Sequence, residues 1–117
     1  MPTAADLMTR AVPRGHPDDT VLHTLRAIRS VRPEEASHIY LLDEQTRLIG
    51  QVPIEALILA EPEQRLSALR GAPPIQVRPE DDAETAALRA VERHDADVAV
   101  VDSSHRLLGA IPIGRLL

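Results

Sequence analysis

The hydrophobic and polar positions of this chain follow the same order in its two halves. An apolar stripe with helical spacing comes first in each half, and two short aliphatic runs follow it. The runs are IYLL (39–42) and LIGQV (48–52) in the first half, and VAVV (98–101) and LLGAI (107–111) in the second. Polar residues that favour turns separate the two runs, so each half is predicted to contain a β-hairpin.

A helix is predicted ahead of each hairpin. Asp19 or Thr20 in the first half and Asp82 in the second are candidate N-caps, because a short side-chain oxygen can accept the amide hydrogens of a first turn. The apolar face of the first helix comprises Val21, Leu22, Leu25 and Ile28, and that of the second comprises Ala83, Ala86, Ala87, Leu88, Ala90 and Val91. The alanine-rich second face permits close packing.

A proline follows the second strand of each hairpin. Pro53 and Pro112 lack the amide hydrogen that a sheet uses, and their φ angle suits the first turn of a helix. Short helices are therefore predicted after both prolines, the first of them ending near Ala60. Short leading strands are predicted at 11–13 (AVP) and 74–77 (PIQV), so that each half has the order β-α-β-β-α.

An internal repeat explains this duplicated order. At a spacing of 59 residues, the segment 41–57 lies over 100–116, with seven of the 17 positions identical. The identical pairs are Asp43/Asp102, Arg47/Arg106, Leu48/Leu107, Gly50/Gly109, Pro53/Pro112, Ile54/Ile113 and Leu57/Leu116. A second match, LRAIR (25–29) over LRAVE (88–92), has a spacing of 63, which predicts a four-residue insertion near 30–38 in the first copy.

The repeat predicts how the chain is organised. Repeat 1 is assigned to residues 1–62 and repeat 2 to residues 63–117. Neither copy can bury its apolar face alone, so the two are expected to form one globular module about a pseudo-twofold axis. The predicted fold class is α/β.

Composition narrows the classes of function. The 117 residues suffice for one domain, and the absence of cysteine excludes disulfides and thiolate-based metal sites. A net charge of −5 with 13 scattered basic residues argues against nucleic-acid binding. No apolar run approaches the roughly 18 residues that cross a bilayer, so a soluble, cytoplasmic chain is expected.

The repeated order of an aliphatic run, Asp, a polar turn, Arg-Leu, Gly and a short terminal helix resembles the cystathionine β-synthase (CBS) domain, which occurs in tandem pairs. ADLMT (5–9), HIYLLDEQTRLIG (38–50) and LILAEP (57–62) are more specifically similar to the cytosolic CBS pair of MgtE-type magnesium transporters. The resemblance implies two β-α-β-β-α repeats that meet through their sheets and form a homodimer. It also implies a non-enzymatic regulatory function, exerted on an attached or partner membrane transport domain.

The same resemblance implies a nucleotide site in the clefts between the repeats, for ATP, ADP or AMP. Nucleotide-binding members usually carry Ser or Thr, two residues and then Asp at the end of each repeat. The corresponding windows here, PIEA (53–56) and PIGR (112–115), have neither the hydroxyl nor the carboxylate. Arg115 could instead pair with a phosphate, or it could be a solvated residue on a terminal helix. The positions assigned to nucleotide contact are Ile75, Val77, Val98, Pro112 and Arg115.

Magnesium is the other ligand that the resemblance implies, at acidic surfaces. The assigned residues are Asp81 and Asp82, and Asp95 and Asp97 ahead of a central strand. Oxygen ligands of this kind can collect a hard cation, although such carboxylates are also common at helix starts and on solvated surfaces.

An enzymatic function is not supported by the sequence. The five histidines form no HExxH or i, i+4 pair, and Ser103 and Ser104 lie in a predicted turn beside His105. The sequence leaves three hypotheses for the function of the chain: the sensor part of a divalent-cation transporter, a structural dimerisation module with degenerate clefts, and a stand-alone adenine-nucleotide-binding protein.

Overall fold

A computed structural model of the chain describes residues 1–28 and 37–116, so most of the predicted insertion near 30–38 lies outside the described residues. The chain forms two compact units. The first-repeat unit is Ala11–Pro73, and the second-repeat unit combines Met1–Arg10 with Pro74–Leu117. Helix α1 (Ala4–Leu7), which opens the chain, therefore belongs to the second-repeat unit.

The first-repeat unit contains a three-stranded sheet with helices. Its elements are β1 (Arg14–Gly15), α2 (Val21–Ile28), β2 (His38–Leu42), β3 (Leu48–Pro53), α3 (Ile54–Leu59) and a 3-10 helix (Leu66–Leu69). The strand order is β1-β2-β3, with β1 parallel and β3 antiparallel to β2. The leading strand was predicted at 11–13, and this position is wrong because the strand is Arg14–Gly15. Pro13 has no amide hydrogen, and its carbonyl accepts a hydrogen bond from the Tyr40 amide at 3.0 Å.

The second-repeat unit repeats this topology. Its elements are β4 (Gln76–Val77), α4 (Ala83–Arg93), β5 (Asp97–Val101), β6 (Leu107–Pro112) and a 3-10 helix (Ile113–Arg115). The strand order is β4-β5-β6, again parallel and then antiparallel. Both predicted hairpins are confirmed, and in both units a proline ends the hairpin and precedes a helical turn. The predicted α/β fold class is confirmed.

The N-caps of α2 and α4 show which positions of the two repeats are structurally equivalent. The Thr20 hydroxyl oxygen accepts a hydrogen bond from the His23 amide at 3.1 Å, and the Asp82 carboxylate accepts one from the Thr85 amide at 2.7 Å. Asp19 instead accepts a hydrogen bond from the His16 amide at 2.9 Å, so it is not the cap. Thr20 and Asp82 lie 62 positions apart, one fewer than the sequence match indicates, because capping and burial rather than residue identity determine the helix register.

Each unit has its own apolar core, built almost entirely from aliphatic side chains. The core of the first-repeat unit contains the buried residues Val21, Ile39, Leu41, Val52, Leu57 and Leu66. That of the second-repeat unit contains Ala4, Ile75, Val77, Ala86, Ala90, Val98, Val100 and Ile111. Ala86 and Ala90 are fully buried, as predicted for the alanine-rich face of α4, whereas Leu88 and Val91 of the predicted face are 58% and 55% exposed.

The segment ahead of each repeat packs with the other repeat. The amides of Ala4 and Ala83 donate to the carbonyls of Asp81 (2.7 Å) and Pro2 (3.1 Å), and Thr9 exchanges two backbone hydrogen bonds with Ala110 at 2.8 and 3.0 Å. The 3-10 helix Leu66–Leu69 packs in the same way into the core of the first-repeat unit. The predicted boundaries (1–62 and 63–117) describe the sequence repeat, whereas the compact units exchange these leading segments.

Gly50 and Gly109 allow other residues to approach the second strand of each hairpin closely. A side chain at Gly109 would collide with the backbone of Thr9, whose carbonyl carbon lies 3.2 Å from the position of the added Cβ. At Gly50 the corresponding neighbour is the Nε atom of the Arg70 side chain, at 2.9 Å. Backbone covers the strand at Gly109, and a flexible side chain covers it at Gly50.

The repeated Asp of each hairpin organises the turn that follows. Asp102 accepts hydrogen bonds from the amides of Ser104 and Arg106 at 2.8 and 2.9 Å, and Asp43 accepts equivalent bonds from Gln45 and Arg47. The hydrogen bond from the Arg106 backbone is the main cause that lowers the pKa of Asp102. Because this pKa is lower in the folded chain, the ionised carboxylate stabilises the fold above the ordinary Asp pKa, and the effect is lost as the pH falls through the folded value.

We therefore expect Asp102→Ala to lower the melting temperature by a few degrees at neutral pH and by much less near pH 3. The measurement is thermal unfolding at both pH values, with Ser103→Ala in the same turn as the control. An equal loss at both pH values would show that the charge of Asp102 is not the stabilising feature.

Candidate ligand sites

The positions assigned to nucleotide contact divide into buried and accessible groups. Ile75, Val77 and Val98 are 6%, 2% and 0% exposed and pack in the core of the second-repeat unit. The Ile75 carbonyl already accepts a hydrogen bond from the Ala99 amide at 2.8 Å. These three residues therefore shape the sheet, and their side chains present little surface to a ligand.

Pro112 and Arg115 lie together where β6 ends. Pro112 is half-buried and pairs with Asp97 across the hairpin, while Arg115 is exposed in the following 3-10 helix. The Arg115 Nη1 atom donates to the Leu7 carbonyl at 3.2 Å. The guanidinium is thus held near the N-terminal segment, a contact that the sequence did not predict.

The four assigned carboxylates lie at opposite ends of α4. Asp81 accepts a hydrogen bond from the Arg78 amide at 2.8 Å, and Asp82 caps the helix, where hydrogen bonds from Thr85 lower the pKa of Asp82. Asp95 and Asp97 follow the other end of the helix. The 11 residues of α4 are about 16 Å long, so one cation cannot bind both pairs.

Asp95 and Asp97 form the closer pair. One carboxylate oxygen of each lies within 4.8 Å of the other, and Asp97 is only 5% exposed. The Asp95 carboxylate also accepts a hydrogen bond from the Ala96 amide at 3.1 Å. Two carboxylates at this separation, one of them buried, form a stronger candidate cation site than Asp81 and Asp82, whose oxygens serve the start of α4.

Sequence reasoning missed a groove beside α4 in the second-repeat unit. It has a volume of about 310 Å³ and is lined by Gln76, Val77, Arg78, Asp81, Arg89, Val101 and His105. A neighbouring cavity of about 300 Å³ shares Gln76 and Arg89 and extends to Ile75 and Arg93. Arg89 lies in the repeated LRAVE segment, but the repeat does not indicate that Arg89 lines the same groove as Arg78 and His105.

The residues that could suggest a hydrolase occupy turn and cap positions. His105 has a φ of 66° in the β5–β6 turn, and His94 ends α4 with a φ of 51°. Ser103 and Ser104 are exposed in the same turn, where the Ser104 amide donates to Asp102. Within residues 1–28 and 37–116, these groups form no hydrogen-bonded nucleophile and base.

The topology and the leading segments define the chain as a duplicated α/β module of two β-α-β-β units, each closed by a helical turn. The family model of the CBS domain matches residues 4–63. The chain belongs to the CBS domain family, and its fold is that of a tandem CBS pair.

Magnesium transporters are among the similar proteins. The chain is 30% identical over 100 residues to the magnesium transporter MgtE of Thermus thermophilus, a match that covers 84% of this chain and 22% of that protein. The crystal structure of the cytosolic domain of the Mg²⁺ channel MgtE in complex with ATP has a TM-score of 0.92 and 29% identity, covering 98% of this chain and 47% of that one. The soluble part of a magnesium transporter has a TM-score of 0.86 and 21% identity, covering 97% and 45%.

The chain therefore spans about a fifth of the length of the curated relative. Among the described residues, no helix is long and apolar enough to cross a membrane.

Proposed function

We propose that this chain is a non-enzymatic regulatory CBS module, the cytosolic sensor part of a magnesium or divalent-cation transporter. The observation that carries the proposal is the similarity to the MgtE cytosolic domain, which extends over 98% of the chain at a TM-score of 0.92. In this function the module forms a homodimer, and ligand occupancy alters the dimer geometry that an attached or partner membrane domain senses.

A cation site at Asp95 and Asp97 is consistent with this function. One carboxylate oxygen of Asp95 and one of Asp97 lie within 4.8 Å of each other, and Asp97 is only 5% exposed. A divalent cation between the two groups would take oxygen ligands from both of them, an arrangement that the unfolded chain does not provide. Mg²⁺ should therefore bind the folded chain in preference to the unfolded chain.

We expect millimolar Mg²⁺ to raise the melting temperature, and Asp97→Asn to abolish the increase. At a Mg²⁺ concentration ten times the dissociation constant, the stabilisation is about 1.4 kcal/mol, or a few degrees. Glu84→Gln, which removes an exposed carboxylate from the same unit, is the control and should keep the response. A melting temperature that does not change with Mg²⁺ in the unmodified chain would contradict the cation site.

Adenine nucleotide is the second ligand to consider. One solved relative of 29% identity is the MgtE cytosolic domain in complex with ATP. In this chain the windows 53–56 and 112–115 have no Ser, Thr or Asp. To bind a phosphate, the Arg115 guanidinium would have to leave the Leu7 carbonyl or donate to the phosphate from its other N–H groups. Any nucleotide affinity should therefore depend strongly on Arg115.

Calorimetry with ATP, ADP and AMP tests this dependence. We expect Arg115→Ala to weaken nucleotide binding by about tenfold or more, the usual effect of losing one charged hydrogen bond. Arg106→Ala, which removes an exposed guanidinium from the β5–β6 turn, should leave the affinity unchanged. Equal weakening by both variants would mean that Arg115 has no specific role.

The missing hydroxyl and carboxylate in both windows favour one alternative, a structural dimerisation module with degenerate clefts. Such a chain would dimerise yet respond to neither Mg²⁺ nor any of the three nucleotides. A stand-alone nucleotide-binding protein would bind nucleotide without a Mg²⁺ response. Ultracentrifugation with both titrations separates the three functions.

A further inference from the structure

The groove beside α4 lies at one end of the sheet of the second-repeat unit. Arg78 directly follows β4, and Val101 and His105 belong to the end of β5 and the turn after it. The candidate ligand residues Asp97 and Pro112 pair at the other end of β5, which is about 13 Å long for its five residues. The groove therefore lies at the opposite end of β5 from Asp97 and Pro112, although Val77 and Asp81 in its lining are among the positions that the sequence analysis assigned to nucleotide and cation.

Positive charge is concentrated in this groove. Arg78 and Arg89 line it together with His105, and among the described residues Asp81 is the one acidic residue in the lining. Asp81 accepts a hydrogen bond from the Arg78 amide, and nearby Asp102 accepts hydrogen bonds from the amides of Ser104 and Arg106. Both carboxylates are therefore hydrogen-bonded to backbone amides. The charge of Arg78 also helps to lower the pKa of Asp102.

Hydrogen-bond donors remain for a ligand. The Arg89 Nη1 atom donates to the Gln76 carbonyl at 2.7 Å, which uses one of the five N–H groups of a guanidinium. Among the described residues, the Arg78 guanidinium has no hydrogen-bond or salt-bridge partner. A guanidinium group can donate two parallel N–H···O hydrogen bonds to a phosphate.

In the first-repeat unit the equivalent corner contains a carboxylate of the chain itself. By the register of the helix caps, His16 occupies the position of Arg78, and by the register of the hairpins Glu44 occupies that of Ser103. The Nε2 atom of His16 lies 3.1 Å from a carboxylate oxygen of Glu44. In the second-repeat unit the corner has Arg78 in place of His16 and Ser103 in place of the internal carboxylate.

We propose that the groove lined by Arg78 and Arg89 binds the phosphate group of a small phosphorylated molecule. Its volume of about 310 Å³ is adequate for a phosphomonoester of modest size. The external phosphate takes the place that Glu44 has in the first-repeat unit. The lining does not include Asp95, Asp97 or Arg115, the residues on which the cation and nucleotide predictions depend, so the site can be tested separately from them.

The test is a titration of the full chain with inorganic phosphate and with glycerol 3-phosphate, followed by two-dimensional amide NMR without Mg²⁺. The expected result is a saturable shift of the amides of Gln76, Arg78 and His105, with little change in the first-repeat unit. We expect Arg78→Gln to weaken binding by about three- to tenfold, the range for one partly solvated charged contact.

Arg26→Gln is the matched control. Arg26 is the sequence counterpart of Arg89 in the LRAIR segment, it is exposed on α2, and its loss changes the net charge by the same amount. This variant should keep the affinity, and Arg89→Gln should reduce it. Unsaturable shifts, or equal weakening by Arg26→Gln and Arg78→Gln, would overturn the proposal, and neither result would affect the Mg²⁺ and ATP predictions.

Discussion

Gly109→Ala is expected to lower the free energy of unfolding by about 2–4 kcal/mol, whereas Gly50→Ala at the equivalent position should be nearly neutral. The new methyl group at Gly109 meets the backbone of Thr9, which cannot move without breaking its two hydrogen bonds with Ala110. At Gly50 it meets the end of the Arg70 side chain, which can rotate away.

Chemical denaturation of both variants measures this difference, and amide hydrogen exchange locates it. The Ala110 amide, which donates to Thr9 at 3.0 Å, should lose protection only in Gly109→Ala. Gly114→Ala is a further control, because among the described residues beyond its two chain neighbours no atom lies within 4 Å of the added methyl group. Equal stabilities of Gly109→Ala and Gly50→Ala would contradict the packing of Thr9 on β6.

Removal of residues 1–10 should have a comparable or larger effect. These residues contribute the fully buried Ala4, together with Leu7 and Met8, to the core of the second-repeat unit. They also supply backbone partners for Asp81, Ala83 and Ala110, each worth about 1 kcal/mol. We expect the free energy of unfolding to fall by several kcal/mol.

Hydrogen exchange distinguishes a loss in one unit from a general loss of structure. Protection should fall first in 97–112 and be retained longer in 38–53, because the deleted residues pack with the second repeat. Ala5→Gln, at an exposed position of α1, is the control and should have little effect. Unchanged protection of 97–112 after the deletion would show that the leading segment is not part of that unit.

The elements could be predicted because their determinants are local. Pro53 and Pro112 exclude strand continuation, Asp82 caps the helix that follows it, and alternating turn residues separate the strands. The cap at Thr20 rather than Asp19 was less clear from the sequence. Both side chains can accept an amide hydrogen, and the choice depends on the bond between Asp19 and the His16 amide.

The candidate sites could be predicted only in part. The sequence indicated Asp95 and Asp97 as oxygen ligands. They are two positions apart along the chain, and in the fold a carboxylate oxygen of each lies within 4.8 Å of the other. The contact of Arg115 with Leu7 joins residues 108 positions apart, and no local pattern predicts such a pair. The groove at Arg78 and Arg89 likewise depends on how a strand end, a helix and a turn meet.

The sequence by itself determined the family, the duplication, the order of helices and strands, and the absence of the usual ribose and phosphate ligands at both repeat ends. These features depend on residue identity and on spacings within a few turns of the chain. Only the tertiary structure decided which segment completes each core, which carboxylates cap a helix, and where the arginine side chains of the second repeat line one groove. These outcomes depend on which of several distant segments packs on the same buried surface and forms the same backbone hydrogen bonds. The local pattern of residues along the chain does not predict that choice.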